Sequence, residues 1–188
     1  MPGAGGPTLR GMNTELQIVD PVQMLAGTPD PDAVRALEAH LLDLPQVDLG
    51  TKTVLFGGMS TRYGFIPAGT LLTGALTDID NVCVVFGDIT VTTDEGTVRL
   101  TGFHVLQAKK GAKRAGVAHA DTYWATVHRT DLTDVQAVED EMTCESSALQ
   151  TRREGIRYAP SGELPGADVS PADWRPGIEY VATATLEA

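Results

Sequence analysis

Cysteine is scarce in this chain: Cys83 and Cys144 are the only two among 188 residues. Without closely spaced histidines they make no zinc knuckle. Cys83, inside the apolar run Val82–Phe86, reads as a buried thiol acting as a small hydrophobe. Positive charge is scarce too, with 14 Lys and Arg against 25 Asp and Glu, a formal net charge of -11. Such a surface repels a phosphate backbone, so sequence-independent nucleic-acid binding is excluded as a main role. No run approaches the roughly 20 apolar residues of a membrane helix, so no membrane partner is expected. The start, MPGAGGPTLRGMNTE, has no apolar core behind its arginine. It reads as a loose arm rather than a signal peptide, and a cytoplasmic setting is the expectation (the host cytoplasm, were the chain viral). Also missing are a nucleophile elbow, a phosphate-cradling glycine loop flanked by strand and helix, and a His-Glu-x-x-His helix.

What the chain does contain is 42% apolar residues, 20 glycines and 11 prolines, a globular mixture in which turns punctuate short β-branched runs. One helix is signalled from Asp30 to about Leu42. Asp30 can cap it, Pro31 suits the first turn, and Asp32 complements the dipole. Val34, Leu37 and Leu41 form its apolar stripe, leaving Arg35, Glu38 and Asp43 for solvent. From Thr51 the period changes to that of strands: Thr51–Phe56, Ser60–Ile66, Thr70–Leu76, Val82–Phe86, Ile89–Thr92, Thr97–Leu100, Phe103–Ala108 and Thr122–Thr130. With no helix between about residues 50 and 130, the pattern describes an all-β antiparallel sandwich or barrel. A second helix is expected over about Leu132–Met142, capped by Thr130 or Asp131. The organisation expected is therefore an arm and helix (1–49), a barrel (50–130), and a helix with an extended arm (131–188).

The stretch Arg62-Tyr63-Gly64-Phe65-Ile66-Pro67-Ala68-Gly69-Thr70, its continuation through Phe86-Gly87-Asp88-Ile89, and Ala108-Lys109-Lys110-Gly111-Ala112-Lys113-Arg114 resemble the two motifs of the cupin superfamily. The likeness is greatest to small cupin-like proteins of tailed bacteriophages. It implies a small jelly-roll β-barrel with flanking helices and extended terminal arms. It also implies a homodimer or higher homo-oligomer made through sheet edges and exchanged arms.

A cupin metal cage of histidines and one acid has little to stand on here. Asp80 occupies the acidic position, but Thr77 and Arg114 stand where histidines are expected, and guanidinium has no lone pair for a metal. No cofactor and no regular metal site are expected. An irregular set drawn from Asp78, Asp80, His104, His119 and His128 is the alternative. The candidate site is a small anionic-ligand pocket formed by Arg62, Tyr63, Asp80, His104, Lys113, Arg114, Trp124 and His128. In it arginine forks would hold the anion and an aromatic ring would stack on its apolar part. The competing reading pairs Arg114 with Asp80 as a buried salt bridge. Three functions follow. One is a non-catalytic phage accessory protein acting through the pocket or a protein interface. The second is a cupin-type enzyme, either a metal-dependent oxygenase or isomerase, or a metal-free sugar epimerase with His128 or His104 as general base. The third is a virion or assembly component.

Overall fold

The computed structural model describes residues 30–159 and, as backbone, 181–182. The first helix, α1, spans Pro31–Leu41, and the Asp30 carboxylate accepts from the Asp32 N–H at 3.0 Å as an N-cap. The strands are β1 (Lys52–Phe56), β2 (Met59–Ile66), β3 (Thr70–Thr73), β4 (Asn81–Thr93), β5 (Gly96–Ala108) and β6 (Ala115–Arg129). Helix α2 covers Val135–Met142, a 3-10 turn covers Ser146–Ala148, and β7 covers Val181–Ala182. Asp134 rather than Thr130 or Asp131 caps α2, through the Ala137 N–H at 2.9 Å.

These strands form one sheet, but not the closed barrel that the sequence predicts. Along one path the order is β1-β2-β6-β3-β7, and β4 joins β6 on its other side, with β5 beyond it. β1 pairs only with β2, and β5 only with β4. No ladder among the described residues joins these edges, so the sheet is open and its two helices make the fold mixed α/β rather than all-β. The reason lies in what covers the inner face. Val47 and Leu49, on the segment after α1, join Leu72, Cys83, Val85, Ile89 and Trp124 in the main core. A connecting segment thus supplies the apolar cover that closing strands would have provided.

The sheet's two faces are used differently along its length. Adjacent residues of β3 split between them, as strand geometry requires: Leu72 enters the main core, while Leu71 packs with Val34 and Leu41 of α1. Further along, no described element covers the outer face. The expected breaks within β4 and β5 also vanish. Gly87 does not reverse the sheet but sits inside β4 at a bulge, with φ 151°. A Cβ there would lie 2.3 Å from the Thr122 hydroxyl and 2.6 Å from its Cα, so glycine is kept by close approach rather than by a turn. His119, outside the strands expected from the sequence, lies in β6 and hydrogen-bonds Thr90 Oγ1 at 2.7 Å. Among the described residues no helix is long and apolar enough to cross a membrane. The extended arms expected at the termini fall mostly outside the described residues.

Candidate functional site

Two of the cations assigned to the pocket are held elsewhere. Lys113, in the turn before β6, is buried, and its ammonium donates to Glu38 at 2.9 Å and Glu145 at 2.7 Å. Glu38 is therefore not a solvent-facing helix residue: it also accepts from the Thr73 hydroxyl. Glu145 additionally accepts from the Leu76 N–H and from Arg35. Burial pushes the Glu145 carboxyl up, but the hydrogen bonds from Lys113, Leu76 and Arg35 outweigh it and hold the group below its ordinary range. Arg62, buried on β2, donates to Glu139 at 2.7 Å, to Thr53 and to Thr151. Glu139 also pairs with Arg152. Desolvation lowers the Arg62 pKa, against the pull of Glu139. Each cluster ties a helix to the sheet, Lys113 holding α1 and Arg62 holding α2.

Arg114, one residue beyond Lys113, has no such partner. It forms no ion pair with any described carboxylate, and its Nε has no hydrogen-bond acceptor among the described residues. Its Nη1 lies 3.7 Å from the Cys83 sulfur. Asp80, the salt-bridge partner considered for it, is exposed and accepts instead from the Lys110 N–H at 2.8 Å. The guanidinium lines a narrow pocket with a cavity volume of about 30 Å³, room for a water or two behind an open mouth. Apolar walls come from Leu72, Ile89, Val91 and Trp124. Two loops form the rim, joined by Gly74 N–H to Arg114 C=O at 2.7 Å and Thr77 N–H to Ala112 C=O at 2.9 Å.

Thr77, Asn81 and Cys83 complete the polar inventory of this wall. Thr77 is buried, and its hydroxyl donates to the carbonyls of Lys109 and Ala112. Cys83 is a free, buried thiol. Burial pushes its pKa up, Arg114 beside it pulling the other way, so the neutral thiol dominates. Sequence reasoning did not place Cys83 or Asn81 in the site. The only signal for them was the alternation in β4 that turns both residues inward.

Of the eight residues proposed for one pocket, Arg114 and Trp124 line it. Tyr63 is on the outer face, and His104 lies on β5, its Nε2 3.0 Å from the Thr101 carbonyl. His128 is buried beside Ser60, its cross-strand neighbour, and neither ring nitrogen has a hydrogen-bond partner among the described residues. A Glu141 carboxylate oxygen lies 4.0 Å from its Nε2. Desolvation lowers the His128 pKa, with Glu141 acting in the opposite direction. Asp78 accepts from the Cys144 N–H at 2.6 Å. Among the described residues no three His, Cys, Asp or Glu side chains converge as metal ligands. The side chains at the cupin-like positions do not fit a metal cage, because Thr77 is committed to backbone carbonyls and Arg114 is cationic. What the pocket offers chemically is one guanidinium fork at the edge of an apolar space.

No family model matches the chain, and no curated protein sequence matches it. Solved structures give distant likenesses. A cupin-2 domain protein from Shewanella frigidimarina is 11% identical over 42% of this chain and 78% of that one, with TM-score 0.35. A cupin superfamily protein from Desulfitobacterium hafniense is 11% identical over 50% and 87%, with TM-score 0.38. A cupin domain from Bordetella pertussis is 14% identical over 46% and 98%, with TM-score 0.37. None of these three is a phage protein, so the phage origin implied by the motifs has no counterpart here. Over half its length or less, the chain is similar to cupin-domain proteins, and at these scores that similarity decides nothing about its chemistry.

Proposed function

We propose that the chain is a binding protein for a small carboxylate with an apolar body, its charged end held at the mouth of the pocket between the β3–β4 and β5–β6 loops. One observation carries this reading: the Arg114 guanidinium stands at an apolar pocket with no carboxylate among the described residues to neutralise it, while Arg62 and Lys113 are both ion-paired. A cation drawn partly out of water without a counter-ion is costly. A ligand carboxylate would supply two parallel charge-assisted hydrogen bonds, and Trp124 would flank its apolar part. Binding rather than proton transfer suits the wall, since the thiol beside Arg114 is held neutral and none of the described histidines lines the pocket.

Isothermal titration with benzoate and hexanoate, against benzamide and hexanamide as uncharged counterparts, tests this. The expected result is saturable binding of at least one carboxylate, at least tenfold weaker for its amide. Arg114→Met should weaken it by roughly tenfold or more, the size of a lost charged hydrogen bond. Equal affinity of Arg114→Met and the natural chain, or no binding of either acid at millimolar concentration, would overturn the reading.

A further inference from the structure

The outer face of the sheet carries an aromatic row that the pocket does not use. Phe65 of β2 stands opposite Tyr123 of β6, Tyr123 opposite Phe86 of β4, and Phe86 opposite Phe103 of β5. Four aromatic side chains therefore cross four neighbouring strands in a single register line. The Phe65 and Tyr123 rings are in contact, with centroids 5.2 Å apart. The next line on the same face runs Tyr63, Ala125, Val84, Val105, and the line after it Thr61, Val127, Val82. Nothing among the described residues covers this surface: Phe103 is 66% exposed, Phe86 and Val105 are each 59%, and Tyr123 is 55%.

Elsewhere the same sheet hides its outer apolar residues under α1, so the bare region is a departure from the molecule's own pattern. No charged side chain lies within the three lines. Lys52 and Arg129 stand at one boundary, and the Arg99–Asp88 ion pair stands beyond Gly102 at the other. An apolar centre with charges confined to its edge is the anatomy of an interface.

We infer that this face is where two copies of the chain associate, sheet against sheet, about a two-fold axis. Area favours a second copy as the occupant. With aromatic side chains presenting about 150–250 Å² each, the exposed parts of these residues amount to on the order of 600 Å² of apolar surface. A stable interface takes about 800 Å² from each partner, which this patch and its polar rim supply, and the patch stands at the upper end of the about 300–600 Å² that a monomer's largest apolar patch reaches. The geometry is also self-complementary. Sheets stack face to face about 10 Å apart. An axis in the interface plane, running along the strands between β4 and β6, brings Phe86 of each copy onto Tyr123 of the other. The lack of charge in the patch allows this despite the net charge of -11, because the like charges stay at the rim. This is a different surface from the strand edges and arms that the sequence suggests, and it does not depend on the Arg114 pocket.

Sedimentation equilibrium of the full chain between 1 and 100 μM tests the inference, with Phe103→Asp and Val105→Lys as variants. Both positions are exposed, so far-UV circular dichroism should stay that of the natural chain. The expected result is a dimer whose dissociation constant rises at least 100-fold in each variant. A natural chain that is monomeric at 100 μM overturns the inference. If its melting temperature then falls on Phe103→Asp, the face belongs instead to the chain's own residues 1–29 or 160–180. A dimer or larger oligomer that persists unchanged in both folded variants overturns it as well. Should one variant fail to fold, the other decides.

Discussion

Lys113 and Arg114 are neighbours in sequence with opposite circumstances. The first is a buried cation with two carboxylates within hydrogen-bond distance; the second has none among the described residues. Replacing each by methionine, a side chain of similar length, should therefore diverge. Lys113→Met leaves Glu38 buried without its cation, a change that typically costs about 3–5 kcal/mol. Arg114→Met removes a partly buried charge with no ion-pair partner among the described residues and extends an apolar wall, so stability should change by less than about 1 kcal/mol in either direction. Urea unfolding of the two variants checks the contrast, and equal losses would show that Arg114 is structural too. Neither outcome was legible beforehand. A basic cluster announces cations near one another, but their partners Glu38 and Glu145 lie 75 and 32 residues away from Lys113.

In the β4–β5 hairpin Gly87 faces Gly102 across the ladder, and the two glycines serve different needs. At Gly87 a methyl group would drive into Thr122, whereas at Gly102, with φ 87°, it would meet open space and only backbone strain. Gly87→Ala should thus cost about 2–3 kcal/mol through overpacking. Gly102→Ala should cost about 1 kcal/mol, the usual penalty for a side chain in the left-handed region. Thermal melts of both variants give the order, and a Gly102→Ala penalty equal to that of Gly87→Ala would contradict the close-approach account. Strand existence was readable from alternation here. Strand continuity was not, because glycine punctuates a turn and a bulge alike in sequence, and only the neighbour it meets tells them apart.

Acid stability is a property to which His128 contributes through its buried surroundings. Desolvation holds its folded pKa below the ordinary histidine value, so the unfolded chain takes up this proton more readily. Folding stability is then fully present above about pH 6.5 and declines as pH falls below it. That window lies above the ordinary carboxylate range, which separates it from the loss expected lower down when depressed acids such as Asp88 and Glu145 protonate. His128→Gln should flatten the decline in melting temperature between pH 7 and pH 5.5, and an unchanged slope would place its origin elsewhere.

What the chain carries in its own local order are features set by near neighbours. The Asp30-Pro31 helix start and the apolar stripe of α1 that buries Val34 and Leu41 are examples, each with its backbone and side-chain causes within a few residues. Whether β1 and β5 would meet, which carboxylate would neutralise which cation, and which sheet face would stay bare depended on segments brought together from far apart. Val47 and Leu49 fill the place that closing strands would have taken, and nothing in their immediate neighbours foretells that position. Such contacts leave no periodic mark, because their energy comes from burial and charge pairing that exist only once the chain has collapsed around them.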